Sequence, residues 1–437
     1  MIAFWVDLPI VVRDVLLFIL GGIAGGLANS EIYTAGWFRA RPISPWSPPD
    51  QNAPPRSRWD RVPIVGWLGL RRERAIHGKG FWVRPLLVEF SLAIGFVALH
   101  HFETLGGGLL PIGFRENAAF MTAYEPYATP MLAAHLLLLV FMTAATFIDF
   151  DEQTIPDIIT VPGTLLGLTL ATLTPKIFAP TIAIVPGTNP PMKQPFPTTF
   201  DAPGFGFLGG PWSGSTGLLL GLLIWWTWCF ALADRRFRMV IWRRRGLRRA
   251  CRHFVDGLFH HPGWKILLTM AVLGSLALLA IHRVGGDTWH GCLTSLVGLA
   301  VGGGVVWAIR IVASGALGLE AMGFGDVTLM AMIGTFVGWQ AAILAFFLSP
   351  FTAIIIVVVR LVLSGQRQTP FGPYLCAGTL LTLVFWDALY QGQFKLSVAI
   401  LGPFLLWLAI SMLVLMTVLL YGYRLAKERF LYRDETA

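Results

Sequence analysis

Apolar stretches long enough to cross a lipid bilayer recur along this chain from one end to the other. A helix needs about 20 mainly apolar residues to cross roughly 30 Å of hydrocarbon, and about eleven stretches approach that length. We place them near 15–29, 86–101, 131–149, 156–174, 215–233, 265–282, 291–315, 327–345, 346–363, 374–390 and 397–420. With 55% hydrophobic and only 13% charged residues, the 437-residue chain lacks the polar surface of a soluble globule. The sequence therefore predicts an all-α, polytopic transmembrane helix bundle.

The positions of Lys and Arg predict the orientation of these spans, because cytoplasmic loops beside membrane helices accumulate positive charge. Loop 30–84 is rich in arginine, whereas loop 102–130 contains Arg115 as its one basic residue. We therefore place loop 30–84, the Arg-rich segment 235–252 and the carboxyl terminus in the cytoplasm, and the amino terminus outside. The first span has Arg13 and Asp14 at its outer end, but no positive charge precedes them and no cleavage site is evident, so we interpret it as an anchor and not a removed signal peptide.

The formal net charge of +9 fits this topology and predicts contact with anionic membrane lipids. We expect no nucleic-acid partner. Segment 235–252 alternates basic and apolar side chains, which suits either a helix on an anionic membrane surface or a solvated basic loop. The sequence leaves both alternatives open.

Carboxylates at the ends of two apolar stretches are the first candidates for chemistry, because ionisable groups at membrane depth are costly and often functional. Asp149 ends the third stretch, and Asp326 follows the seventh. The charge count places both at the cytoplasmic face, where we expect them to meet. Two adjacent carboxyls share one proton, which supplies a base to activate water and an acid to protonate a scissile carbonyl. This is the chemistry of aspartic proteolysis.

Glycines precede the second aspartate. Gly323 and Gly325 flank Phe324 just before Asp326, which allows close approach of a neighbouring helix or of an extended substrate. A Gly-x-Gly-Asp sequence alone is too common to identify a function.

The other acidic residues near Asp149 have a simpler interpretation. Asp151, Glu152 and Asp157 are interpreted as interfacial charges, with Asp157 capping or lining a helix that begins at Pro156.

Three segments resemble the motifs of the bacterial prepilin peptidases, also called leader peptidase/N-methyltransferases. The family's first motif is an Asp followed six residues later by Ile-Pro-Asp or Ile-Pro-Asn, as Asp149 is followed here by Ile155, Pro156 and Asp157. Its second is Gly-x-Gly-Asp opening a helix, here GFGDVTLMAMIG. TPFGPYL at 369–375 resembles the family's Pro-Phe-Gly-Pro segment before its final helices.

The amino-terminal part resembles the family more loosely. GGLAN at 25–29 resembles Gly-Ser-Phe-Leu-Asn, and DRVPIVGW at 60–67 resembles Asp-Asn-Ile-Pro-x-x-Ser-Trp. The stretch 71–89, ending on Glu89, resembles the segment that leads into the family's second helix. The resembling segments run from position 25 to 375 in the family's order.

The resemblance implies a membrane-embedded aspartic endopeptidase of the bacterial inner membrane, with Asp149 and Asp326 as its catalytic pair. Gly323, Gly325 and Pro156 would be supporting residues. Its partners would be type IV prepilin or pseudopilin precursors, for pili or type II secretion, cleaved behind a short basic leader at the cytoplasmic face. The sequence does not predict an oligomeric state.

The chain departs from the family in loop 30–84. The usual family has two CxxC pairs there, thought of as a zinc knuckle, and this loop has no cysteine. Arg74 and His77 stand where the second pair aligns, so we expect no zinc and interpret His77 as a solvated loop residue. Thr328 occupies a place where the family commonly carries Lys. The cysteines elsewhere lack CxxC spacing and are interpreted as small buried side chains: Cys229, Cys251, Cys292 and Cys376.

The resemblance also predicts a division of labour along the chain. Residues 1–130 form an amino-terminal, methyltransferase-like membrane region, and 131–174 with 286–390 form the peptidase core. An insertion at 175–285 holds an outer loop, two spans and the Arg-rich segment, and 391–437 adds a span and a basic tail. We expect no cofactor for proteolysis. S-adenosylmethionine is expected only if methyl transfer is retained, for which the sequence shows no glycine-rich nucleotide motif.

Two alternatives remain open. A non-catalytic transporter or assembly scaffold would use intramembrane acids to bind ions or protons, with His135, Glu320 and Asp387 as candidates. A presenilin-like intramembrane protease would also carry Gly-x-Gly-Asp, but with a Tyr-Asp in the earlier helix, and here Ile148 precedes Asp149.

Overall fold

The computed structural model of the protein describes residues 2–35, 43–45, 47–185, 192–201, 212–233, 263–317, 322–364, 370–402 and 404–431. Within these ranges eight helices are long and apolar enough to cross a membrane, or up to nine if the bent pair Gly372–Val384 and Asp387–Val398 is one span. The predicted all-α, polytopic membrane architecture is confirmed. The count of about eleven spans and the side on which each terminus lies stay predictions.

Contacts divide the chain into two compact units. Unit 1 comprises Met1–Leu166, Lys176–Pro197 and Leu344–Leu389, and unit 2 comprises Gly167–Pro175, Thr198–Ile343 and Tyr390–Ala437. The sequence analysis divided the chain by the expected function of each part and not by contacts. That division stays a prediction.

Unit 1 is built on long apolar helices. A short helix α1 (Ile2–Asp7) precedes α2 (Ile10–Thr34), which packs against α5 (Val83–Leu99). Glycines permit this close packing, because a Cβ at Gly25 would lie only 2.5 Å from the Cα of Glu89.

The loop between α2 and α5 and the segment after α5 contain short elements. They are 3-10 turns at Arg58–Arg61 and Arg71–Glu73, α3 (Val65–Leu70), α4 (Arg74–His77), a π-helical segment at His100–Leu105 and α6 (Ile112–Arg115). The longest helix wholly within unit 1, α7 (Ala118–Glu152), follows. It ends because Gln153 adopts a left-handed conformation with φ 53°.

Helix α8 (Asp157–Leu173) begins in unit 1 and has 17 residues, which is short for a complete span. After a 3-10 turn at Pro175–Ile177, strands β1 (Pro180–Val185) and β2 (Met192–Pro197) pair antiparallel, with Pro180 opposite Pro197. These two strands lie in the outer loop of the predicted insertion 175–285, and they were not predicted. The rest of unit 1 contains the second half of the helix Phe324–Ser364, then α13 (Gly372–Val384) and the start of a π-helical segment, Asp387–Phe394.

Unit 2 contains α9 (Ser215–Ala233), α10 (Trp264–Val284), α11 (Gly286–Leu317), most of the first half of α12 (Phe324–Ser364), α14 (Lys395–Leu401) and α15 (Phe404–Leu431). Tryptophans hold α9 to α10, because Trp225 Nε1 donates to the carbonyl of Ala271 at 3.0 Å and Trp226 Nε1 donates to Ser275 Oγ at 3.0 Å. The Arg-rich segment 235–252 lies outside the described residues.

Helix α12 corrects the predicted boundary between two spans. The sequence predicted 327–345 and 346–363, but the helical geometry is interrupted at Gly338, where φ is 78° and ψ is 170°. Glycine adopts this conformation without a steric penalty. The sequence did not predict the break, because the apolar residues continue past position 338. The predicted burial of the cysteines is confirmed for Cys229, Cys292 and Cys376, and Cys251 lies outside the described residues.

Candidate active site

Asp149 lies in the last turn of α7, and its side chain is buried, with 4% of the residue exposed. The amide of Gln153 donates to the Asp149 carbonyl at 2.9 Å and closes this last turn. Ile155 is buried, and α8 begins at Asp157, directly after Pro156. The six-residue interval from Asp149 to Ile155 therefore contains a helix end and a left-handed residue, and the next helix begins two residues beyond it.

The glycine of the third motif contacts Asp149. The amide of Gly372 donates a hydrogen bond to Asp149 Oδ2 at 3.0 Å. A Cβ at position 372 would lie 2.6 Å from that oxygen and 2.8 Å from Ile155 Cδ1, closer than unbonded atoms approach. A side chain at position 372 would therefore displace the Asp149 carboxyl or the end of the Ile155 side chain. The resemblance of TPFGPYL to the family's motif did not predict that Gly372 contacts Asp149.

Asp151 is a surface residue, as predicted. It forms a two-pronged ion pair with Arg84, whose Nη1 and Nη2 donate to Oδ1 and Oδ2 at 2.9 and 2.8 Å. Both side chains are about two-fifths exposed, at 40% and 43%. The pair joins the start of α5 to the end of α7.

Asp326 lies in the first turn of α12 and is 7% exposed. A carboxylate here interacts favourably with the positive end of the helix dipole. A Cβ at Gly323 would lie 3.7 Å from Asp326 Oδ2, an ordinary contact, so the side chain of Asp326 does not itself require glycine there. Thr328, buried at 3%, donates from Oγ1 to the carbonyl of Gly325 at 3.0 Å.

Helix α11 fixes the segment that carries Asp326. Arg310 Nε donates to the carbonyl of Met322 at 2.9 Å, and its guanidinium carbon lies 5.6 Å from the centre of the Phe324 ring. Further along, Gly298 of α11 and Gly334 of α12 each face the other's backbone so closely that a Cβ on either would overlap it. The two helices approach through small residues, as in other membrane bundles.

The two predicted catalytic residues belong to different units. Asp149 lies in unit 1 and Asp326 in unit 2. Their pairing therefore stays a prediction.

The loosely matched amino-terminal segments meet at Glu89, which is 3% exposed. Its Oε1 accepts hydrogen bonds from Trp67 Nε1 at 2.7 Å and Asn29 Nδ2 at 3.3 Å, and its Oε2 accepts one from the Ile64 amide at 2.6 Å. Ile64 has a φ of 66°, which is costly for a β-branched residue. The surrounding contacts thus hold a strained turn. The sequence resemblance identified these segments but did not predict that they meet at Glu89.

A cluster of ion pairs occupies the cytoplasmic loop of the predicted topology. Arg56 donates to both oxygens of Glu73, at 2.7 and 2.8 Å, and to the carbonyls of Ser44 and Ser47. His77 Nε2 lies 3.2 Å from Glu73 Oε2. The prediction that His77 is a solvated residue is therefore wrong, because its imidazole is mostly buried against Glu73.

A second pair in this loop joins Asp60 to Arg72. Hydrogen bonds from Arg56 lower the pKa of Glu73 below its ordinary value, despite its burial. Burial raises the pKa of Asp60, but hydrogen bonds from Arg72 and the Ser57 amide outweigh it and leave the pKa lowered. Both carboxylates are held in their charged forms.

The fold and these residues define a class: a polytopic helical membrane protein with buried aspartates at two helix ends. Residues 264–358 match the Type IV leader peptidase family, and this segment includes Asp326. The chain is 30% identical over 155 residues to a prepilin leader peptidase/N-methyltransferase of Pseudomonas aeruginosa, covering 31% of this chain and 53% of the relative. These matches are to the prepilin peptidase family and cover part of the chain, and they confirm the resemblance seen in the sequence.

Other relatives agree. The chain is 28% identical over 154 residues to the prepilin leader peptidase/N-methyltransferase of Aeromonas salmonicida, covering 29% of this chain and 52% of the relative. It is 29% identical over 155 residues to that of Stutzerimonas stutzeri, covering 31% and 53%. The chain thus spans about half the length of the curated relatives it matches. No solved structure matches it.

Proposed function

We propose that the chain is an aspartic endopeptidase that cleaves the leader peptide from type IV prepilin or pseudopilin precursors at the cytoplasmic face of the bacterial inner membrane. The observation that carries the proposal is the buried Asp149 carboxyl, which the Gly372 amide holds at 3.0 Å, in a family member whose matched segment contains Asp326. The membrane-spanning helices support an insertion among lipids, where pilin-like precursors also reside.

In the proposed mechanism, the carboxyls of Asp149 and Asp326 share one proton. The ionised carboxyl removes a proton from water as it attacks the scissile carbonyl, and the protonated one donates to the carbonyl oxygen. The two groups titrate as a coupled pair, so the roles belong to the pair and not to either residue. The Gly372 amide positions the Asp149 carboxyl by its hydrogen bond to Oδ2.

Loop 30–84 is relevant to N-methyl transfer, the second activity in the relatives' name. Its ion pairs and the Glu89 cluster order the loop through side chains that need no metal. We therefore propose a peptidase without zinc in this loop, and methyl transfer from S-adenosylmethionine only if this loop retains a site for that donor.

Incubating membranes that hold the chain with a pilin-like precursor tests the proposal. We expect wild-type protein to shorten the precursor, and Asp149→Asn and Asp326→Asn to lose processing by about 100-fold or more, because each removes an acid–base group. Asp151→Asn is the matched control and should process normally. Continued cleavage by both active-site variants would contradict the assignment.

Mass spectrometry of the product's amino terminus adds two answers. The cleavage position separates leader removal from a cut within the membrane, as a presenilin-like protease would make. A methyl increment would show retained methyl transfer, and its persistent absence would leave a peptidase alone.

One buried pair favours an ion- or proton-binding role as a second candidate. His135 Nδ1 lies 2.7 Å from Glu103 Oε1, and both side chains are fully buried. Asp387 lies 3.7 Å from Arg115, and Glu320 lies outside the described residues. If His135→Ala abolishes proton or ion transport in vesicles and Asp149→Asn leaves precursor processing intact, this second role replaces the first.

A further inference from the structure

A second cluster of ionisable side chains lies at the other end of unit 1 from Asp149. Asp14 lies in the second turn of α2, and His100 and His101 open the π-helical segment that continues α5. The Arg84–Asp151 pair places the start of α5 beside the end of α7 that carries Asp149. His100 follows Arg84 along the helix by a rise of about 24 Å. The cluster is therefore remote from the Asp149 carboxyl.

The donor atoms of these three residues converge. His100 Nδ1 lies 3.1 Å from Asp14 Oδ1, and His101 Nε2 lies 2.9 Å from Asp14 Oδ2. One potential ligand atom from each residue lies within 4.8 Å of the others.

Two consecutive histidines of a π-helical turn face one carboxylate. His100 and His101 open the turn His100–Leu105, and such turns are frequent at functional sites. Each ring reaches a different oxygen of Asp14.

We propose that Asp14, His100 and His101 form a binding site for a divalent transition metal ion, Zn²⁺ foremost. Two imidazole nitrogens and a carboxylate oxygen are a ligand set that Zn²⁺ uses with a fourth position left for water or an exogenous ligand. Ligands that each lie about 2.0–2.2 Å from one tetrahedral ion are about 3.3–3.6 Å apart, so the donor separations of 2.9 and 3.1 Å would widen by about half an ångström around the ion.

The surroundings suit a cation and give it access. Arg13, the neighbouring cation, is ion-paired with Glu125, which offsets its positive charge. His100 is fully buried, and its ring meets Trp5 edge-on at 6.1 Å, whereas His101 is half exposed at 50%. One ligand is thus fixed by packing and another opens a path for entry. The bound ion would join α2 to α5.

The test measures Zn²⁺ binding to the purified full-length chain in detergent by equilibrium dialysis and metal analysis. All proteins in the series carry His253→Ala, His260→Ala and His261→Ala, because these histidines lie outside the described residues and would add imidazole ligands. We expect one Zn²⁺ per chain, and about 100-fold weaker binding in Asp14→Asn and in His101→Gln, each of which removes a ligand. His77→Gln, from a histidine–carboxylate pair without a third ligand, is the matched control and should bind normally.

Co²⁺ gives a readout that a merely structural role would not produce. Four-coordinate Co²⁺ absorbs visible light strongly, and this absorption should appear with the parent protein and disappear in Asp14→Asn and His101→Gln. Both variants should keep the parent's unfolding midpoint without metal and its processing of a precursor. The proposal would be overturned if the parent protein bound no Zn²⁺, or if the parent and both variants bound it equally well.

Discussion

The amide of Gly372 donates a hydrogen bond to Asp149 Oδ2 across 3.0 Å, joining two residues that lie 223 positions apart in the sequence. We predict that Gly372→Ala impairs processing, because its Cβ would overlap Asp149 Oδ2 and Ile155 Cδ1. A hydrogen bond to a charged group contributes about 1.5–3 kcal/mol, so we expect a loss of about 10- to 100-fold in the precursor assay.

Gly304→Ala is the matched control for this change. A Cβ at Gly304 meets no atom within 4 Å, so the variant should process at the wild-type rate. Equal activity of Gly372→Ala and Gly304→Ala would show that the contact does not position Asp149.

The helices and the positions of the two aspartates at helix ends were predictable because their signals are local, whereas the catalytic role of the aspartates stays a prediction. A run of apolar residues specifies a span, and the interval from Asp149 to Ile155 and Pro156 records a helix end and the next helix start. Glycines before Asp326 mark the other motif within four positions. No distant contact is needed to detect either one.

The features that the sequence did not predict depend on contacts between distant segments. Gly338 interrupts α12 inside a continuous apolar run. The residues that flank Gly338 do not distinguish it from the other glycines of the chain. His77 appeared solvated because its partner Glu73 lies four residues away in a turn whose course only the fold defines. The role of Glu89 likewise depends on Asn29, 60 positions earlier.

Glu89→Gln should destabilise the amino-terminal region. The carboxylate accepts three hydrogen bonds, and the amide that replaces it loses one acceptor oxygen. A buried donor left without a partner costs about 1–3 kcal/mol, so we expect a lower unfolding midpoint in detergent. Glu31→Gln, at an exposed glutamate of helix α2, against which α5 packs, is the control and should leave the midpoint unchanged.

The Arg84–Asp151 pair should contribute little. Its side chains are 40% and 43% exposed, and exposed ion pairs typically stabilise proteins by about 0–1 kcal/mol. In a double-mutant cycle of Arg84→Ala and Asp151→Asn, we expect a coupling energy within this range and processing close to wild type. Complete inactivation by Asp151→Asn would instead identify Asp151 as the first catalytic acid.

The ion pairs Arg56–Glu73 and Arg72–Asp60 should make this part of loop 30–84 sensitive to acid. The pKa values of Asp60 and Glu73 are lowered by their partners, so both groups stabilise the fold fully above their unfolded-state pKa values of about 4. That stabilisation is lost as pH falls through the lower pKa values of the folded state. Hydrogen exchange of the loop, corrected for intrinsic rates, should be constant from about pH 7 to 5 and accelerate below about pH 4. Glu73→Gln should exchange faster at neutral pH and show a weaker acid response, and an unchanged pH profile in this variant would contradict the role of Glu73.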